Sequence, residues 1–167
     1  RYRASLDGFN PEDQSGFVPP SDRSPLDRWI LSKITEMADE FHKNFVSWDF
    51  HKAGRDLEEF IVNDLSNWYV RRSRRRLWDS NESADKLACQ HTMHTVLTTI
   101  CRLIAPIAPF MVDSIHRNLT VTSVHLADWP SPLVSDVGLG QRMSLVRNLA
   151  EAGRKIRAEN DHRQRLP

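Results

Sequence analysis

Apolar residues in this chain return at every third or fourth position over one stretch after another, and that regularity decides what it can fold into. Leu26, Ile30, Ile34, Met37, Phe41 and Phe45 form one stripe about five turns long. Phe50, Ala53, Leu57, Phe60, Ile61, Leu65 and Trp68 form a second. Steps of three and four place side chains on one face of a helix, whereas a half-buried strand needs strict alternation. Alternation is almost absent, so the pattern predicts an all-α protein, a helical bundle of about five helices. No repeat with a period of 20 to 50 residues replaces that reading with a solenoid.

Punctuation in the sequence sets the boundaries. Ser24 stands at a cap position, Pro25 at the first helical position and Asp27 three residues after the cap, which together open the first helix. The second opens near Asp49 and is expected to run to about Trp78. Residues 79–83 are polar turn material, and Ser83 can cap a third helix over residues 84–105. Its apolar positions, among them Leu87, Met93, Val96, Ile100 and Leu103, cover more than half the circumference, as a central helix requires. Pro106 and Pro109 stop or kink it, and Phe110, Met111, Ile115 and Leu119 give a short fourth helix. Residues 120–136 read as a crossing loop pinned by Trp129. A fifth helix follows over residues 137–160, with Leu139, Met143, Val146, Leu149, Ala150 and Ile156 on its face. The organisation expected is a linker over 1–24, a bundle over 25–160 and a second linker over 161–167.

The balance of 40% hydrophobic and 27% charged residues suits a domain with a buried core, and excludes disorder, collagen and a small disulfide scaffold. The first residue is Arg1, and Asp7, Glu12, Asp13 and Asp22 leave no apolar run near it, so no signal peptide and a piece of a longer protein are expected. The most apolar run, residues 103–112, is too short to span a bilayer and is broken by two prolines. Cys89 and Cys101 on one helix would stand roughly 18 Å apart. That is too far for a disulfide, which suits a reducing, cytosolic compartment.

The common enzyme signatures are missing: no GxxxxGK[ST] loop, GxGxxG, HExxH, GxSxG or CxxC pair occurs. His91 and His94 share a helix face at a spacing that suits two metal ligands, but no carboxylate or third histidine falls at the matching turn, so they read as polar positions on a packed helix. Charge is the uneven quantity. Residues 1–67 carry 8 basic and 13 acidic groups, residues 68–78 carry 5 and 0, residues 79–136 carry 3 and 6, and residues 137–167 carry 7 and 3. The last group, which includes Arg142, Arg147 and Arg154, is spread around its helix and reads as a solvated face, with Arg163 and Arg165 in the tail beyond it.

The informative segment is Trp-Tyr-Val-Arg-Arg-Ser-Arg-Arg-Arg-Leu-Trp, residues 68–78, with five arginines in six positions between aromatics. Extending the second stripe by steps of three or four lands on Arg71, Arg72 and Arg75, so a core face becomes a guanidinium face. An apolar core cannot hold several unpaired arginines. This end must therefore meet acids, water, another domain or a polyanion, and two readings stand side by side: nucleic-acid contact, or a solvated or interdomain face. Asp64 lies on the same stripe, two turns before Arg71, and is a candidate partner for it or for neighbouring Asn63 and Asn67.

Four segments, LDRWILSKI (26–34), LSNWYVRRSRRRLW (65–78), LIAPIAPFMVDSIHRNL (103–119) and SVHLADWP (123–130), resemble in that order the anticodon-binding helical domain of isoleucyl-tRNA synthetases. The resemblance covers roughly residues 24–165. Valyl and leucyl enzymes share the opening and the helical layout but differ in the LSNWYVRRSR segment, and an equivalent domain from one of them, or a purely structural interdomain module, are the alternatives. Near its end the chain reads Arg163-Gln164-Arg165-Leu166 where many members read Arg-Gln-Pro-Leu.

The resemblance implies a non-catalytic piece of a class I ligase that attaches isoleucine to its tRNA. Its partners would be the isoleucine tRNA, through the anticodon stem-loop, and the parent's own catalytic and C-terminal domains, with no membrane and no DNA, in the cytoplasm. ATP and Mg belong to the parent's catalytic domain, whose HIGH and KMSKS signatures have no counterpart here; no cofactor or metal is expected in these residues. Carried over by position, Trp68, Tyr69, Arg71, Arg72, Arg74, Arg75, Arg76 and Trp78 are the candidates for tRNA or interdomain contact. Asp27, Arg28 and Trp29, with Asp128 and Trp129, are expected to serve as structural junctions.

Overall fold

The computed structural model describes residues 8–11, 16–81, 83–132 and 136–159. Expectations for the 161–167 tail, including Arg163 and Arg165, lie outside the described residues. The chain divides into two compact units, 1–135 and 136–167, and among the described residues every regular element is helical.

In the first unit, α1 (Pro25–Val46) begins as its sequence dictates: Pro25 occupies the first turn and the Ser24 side chain accepts a bond from the Asp27 backbone N–H. It buries Trp29, Ile30, Ile34 and Phe41 almost completely. It ends in a Schellman arrangement, the Asp49 N–H reaching the Asn44 carbonyl and the Trp48 N–H that of Phe45. The left-handed position there, usually glycine, is Trp48, with φ of 64° and its ring 80% exposed.

The second rod is not a uniform helix. It starts as α2 (Phe50–Glu59), continues as a π-helix over Phe60–Val70 and resumes as α3 (Arg71–Trp78). Wider π turns advance more residues per revolution than 3.6, and runs of this length are uncommon. The buried line accordingly goes Ala53, Leu57, Phe60, then five positions on to Leu65, then Trp68 and Tyr69, and on to Ser73. This corrects the expectation that the stripe continues into Arg71, Arg72 and Arg75; all three are exposed.

Ser83 caps α4 (Ala84–Ile104), its hydroxyl accepting from the Lys86 N–H. This is the central helix: α1 and α3 pack on it from one direction and α5 (Pro109–Thr120) from another. Its polar positions are tolerated because Thr92, Thr95, Thr98 and Thr99 each turn a hydroxyl back onto the carbonyl one turn earlier. Cys89 and Cys101 are buried free thiols on it. A satellite core of Cys101, Val112 and Val124 joins α4, α5 and the 3-10 turn Val124–Leu126. Trp129 lies against α1, its ring centroid 5.6 Å from His42 and 6.3 Å from Phe41.

Where the sequence suggests a linker, several residues before α1 dock on α4. Phe9 and Phe17 set their ring edges on His91, at 5.0 and 5.4 Å. Arg23 is buried, bonded to the Val18 carbonyl and the Thr92 hydroxyl.

The described residues of the second unit form a single helix, α6 (Val137–Glu159), opened by Asp136, whose carboxylate accepts from the Leu139 N–H. Of the apolar face expected to be core, Val146, Leu149 and Ile156 are exposed. Among the described residues of that unit, a lone helix offers no second surface to bury them against.

Candidate nucleic-acid interface

The Arg-rich segment separates into two populations because of the π-helix upstream. A one-position slip in register is about 100° of rotation on an α-helix, enough to exchange which arginines turn inward. Ser73 and Arg76 face the bundle, while Arg71, Arg72, Arg74, Arg75 and Trp78 lie on the exposed side.

Arg76 forms the centre of an ionic node. Its Nη1 and Nη2 donate to the two Asp27 carboxylate oxygens at 2.9 and 2.7 Å, and its Nε and Nη2 to those of Asp85 at 2.6 and 2.7 Å. Asp27 is wholly buried. The Tyr69 hydroxyl, also fully buried, donates to its Oδ1 at 2.6 Å, and the Ser24 hydroxyl to its Oδ2 at 2.8 Å. Burial opposes the charge on Arg76, but the bonds to Asp27 and Asp85 outweigh it and hold the guanidinium above its usual range. Burial, with the Cys89 sulfur and the Asp27 carboxylate nearby, pushes the Tyr69 phenol far up, so it stays a donor. This node ties the start of α1, the end of α3 and the start of α4. The sequence names its members without showing that they meet, since Arg76 and Asp27 stand 49 positions apart.

On the outer side, Arg72 lies over the Trp68 ring, its guanidinium carbon 3.1 Å from the centroid, while Trp68 itself is buried. Arg71, Arg74 and Arg75 make no hydrogen bond or ion pair with the described residues, Asp64 included. Trp78 is 67% exposed at the end of this face. Four guanidinium groups and one indole thus line one side of a short helix. Three of the cations are bare and the fourth is oriented by an aromatic ring, an arrangement suited to phosphate oxygens.

The remaining candidates sit apart. Trp29 is buried in α1 beside the node and Arg28 is half-buried. Asp128 is exposed and Trp129 partly so, near the far end of α1. The His94 Nε2–H donates to the Leu119 carbonyl and His91 carries the Phe9 and Phe17 edges. No group of three metal-ligating side chains occurs among the described residues, and no described helix is long and apolar enough to cross a membrane.

Residues 27–167 match the family model described as the anticodon-binding domain of tRNA ligase. The isoleucine–tRNA ligase of Streptomyces avermitilis is 42% identical over 168 residues, which is 92% of this chain and 16% of the relative. Those of Methanothrix thermoacetophila and Cytophaga hutchinsonii are each 38% identical, over 87% and 98% of this chain and 15% of each relative. The chain thus spans about 15% of the length of the relatives it matches.

Proposed function

Since the chain belongs to the family of anticodon-binding domains of tRNA ligases, we propose that it binds the anticodon stem-loop of an isoleucine tRNA through the outer face of α3. The observation that carries this reading is the set of three exposed, unpaired guanidinium groups, Arg71, Arg74 and Arg75, beside Arg72 held on Trp68. Phosphate contacts from these arginines supply affinity and orientation. Trp78, exposed at the end of the row, offers an indole face to an unstacked base. Tyr69 and Arg76 act from inside, as positioning residues that fix the angle of α3. In the whole ligase, ATP-dependent attachment of isoleucine, with ATP and Mg, is work for a catalytic domain, and a cytoplasmic location follows from that role.

The test is electrophoretic or fluorescence titration with an isoleucine tRNA transcript over a range of salt. Each phosphate contact contributes about 0.7–0.9 to the slope of log affinity against log salt. Arg71→Ala, Arg74→Ala and Arg75→Ala together should flatten the slope by about 2 to 3 on that scale. An unchanged slope and affinity in the triple variant would assign the row to a protein partner instead.

A further inference from the structure

The stretch that leads into α1 has few flexible joints. Pro19 and Pro20 fix φ at successive positions and restrict Val18 before them. Pro20–Asp22 then closes a 3-10 turn, with the Asp22 N–H on the Pro19 carbonyl. The Arg23 side chain folds back to seal the same loop: its Nε donates to the Val18 carbonyl at 2.9 Å, and its guanidinium carbon stands 5.3 Å from the Phe17 ring centroid. From there its Nη1 reaches α4, donating at 3.0 Å to the Thr92 hydroxyl, which passes its own hydrogen to the Ala88 carbonyl. Phe17 meets the neighbouring His91. Residues 17–23 are thus a stiff piece seated on one turn of α4.

Arg23 is 6% exposed, and both of these acceptors are neutral oxygens. A buried guanidinium needs an anion within reach. Burial holds that of Arg23 below its usual range, and the Asp27 carboxylate acts against this. Asp27 therefore serves two cations, Arg76 by direct bonds and Arg23 across the interior. A second connection is covalent: Arg23 is followed by Ser24, whose hydroxyl caps α1, donates to Asp27 at 2.8 Å and stands 3.5 Å from the Arg76 Nη1. A third runs through α4, where Cys89, about one turn before Thr92, has its sulfur 3.5 Å from the Tyr69 hydroxyl that donates to Asp27. Each route leads from Arg23 to the node that fixes the angle of α3, and none passes through the exposed arginines.

We propose that residues 17–24 are a brace rather than a linker, and that Arg23 is a positioning residue through which the seating of this brace on α4 sets the order of α3 and the strength of its arginine face. A displacement of the chain ahead of Phe17 that lifts Arg23 off Thr92 withdraws one cation from Asp27 and pulls on Ser24. Arg76 then holds α3 less firmly. The outer arginines sample more directions, and a contact that needs several of them at once loses its preorganisation. The proposal rests on the RNA-binding reading above for this last step alone, and the loosening of α3 is measurable without RNA.

Amide hydrogen exchange on the full chain reads the first step. Arg23→Gln keeps a donor for the Val18 carbonyl and removes the charge; it should speed exchange of the α3 amides at least about tenfold and leave those of α5 unchanged. Phe17→Ala, at a partly exposed ring outside the node, should act in the same direction, and it carries the test if Arg23→Gln does not fold. Val112→Ala, in the satellite core, should do the reverse, speeding α5 and sparing α3, which separates the brace from a general loss of stability. Titration with an isoleucine tRNA transcript reads the second step. The brace variants should weaken affinity at least about fivefold, with the slope against salt unchanged because Arg71, Arg72, Arg74 and Arg75 all remain, while Val112→Ala binds as wild type does. Unchanged α3 exchange in the brace variants that fold, or an equal rise in Val112→Ala, would overturn the proposal. So would wild-type tRNA affinity in a variant whose α3 exchange has risen. If the wild-type chain binds no tRNA, the RNA-binding reading fails, and the exchange result by itself decides whether the brace stands.

Discussion

Arg76→Ala should be the most damaging single change in the arginine segment, although it is the arginine least available to any ligand among the five. It removes both charged bonds to Asp27, at 2.7 and 2.9 Å, and leaves that wholly buried carboxylate with the Tyr69 and Ser24 hydroxyls alone. Breaking one side of a buried ion pair costs about 3–5 kcal/mol, a large share of the roughly 5–15 kcal/mol that holds a domain together. For a protein of this size that corresponds to a fall in Tm of about 6–20 °C. Arg76→Lys should lie between, because an ammonium cannot fork across two carboxylates. Adding Asp27→Asn to Arg76→Ala should recover part of the loss, since no unpaired charge then remains buried. Urea unfolding, with the slope checked for constancy, reads all four proteins. A loss under about 1 kcal/mol for Arg76→Ala, or a loss that Asp27→Asn does not reduce, would refute the node as the clamp of α1, α3 and α4.

Three further outcomes follow from other sites. At Trp48, with φ of 64°, Gly should be more stable than Ala by about 1 kcal/mol, because only the Ala variant keeps a Cβ in the left-handed region; thermal unfolding of the two compares them. Acidification should weaken the fold in two stages. Burial lowers the His94 pKa, so below about pH 6.5 the unfolded chain takes up the proton first and stability falls. Bonds from Arg117 and Ser123 hold the Asp113 carboxyl well below the usual range, so its contribution is present above about pH 4 and is lost as pH drops further. His94→Gln should flatten the first slope and Asp113→Asn the second, in stability measured against pH. Cys89 and Cys101, buried and with thiols pushed up by burial, should resist a thiol reagent in the native protein and react promptly in urea.

Features written in neighbouring residues were legible without coordinates. Ser24-Pro25 with Asp27 and Ser83 before α4 each stand where local capping chemistry puts them. The central place of α4 followed from apolar residues over more than half of its circumference. What stayed hidden depends on partners far along the chain. Nothing near Arg76 says that Asp27 and Asp85 flank it, and nothing in the proline-rich start says that Phe9 and Phe17 seat on His91. The face of α3 was misjudged because stepping by three and four assumes a constant turn, which Phe60–Val70 does not keep. The five-position gap from Phe60 to Leu65 shows only in which residues are buried, because in the sequence Ile61 fills it with an ordinary step of four.

The Phe60–Val70 stretch also governs how knowledge can be transferred between relatives. A homologue with one residue fewer there can restore an ordinary helix and keep every neighbouring element in place; its downstream side chains then match by facing when the alignment gap lies inside this stretch, and do not match when the gap is placed elsewhere. Columns of an alignment downstream of that point would then pair an outward arginine in one protein with an inward one in another. Assigning contacts by column therefore holds up to Glu59 and needs a length check before it is extended to Arg71–Trp78.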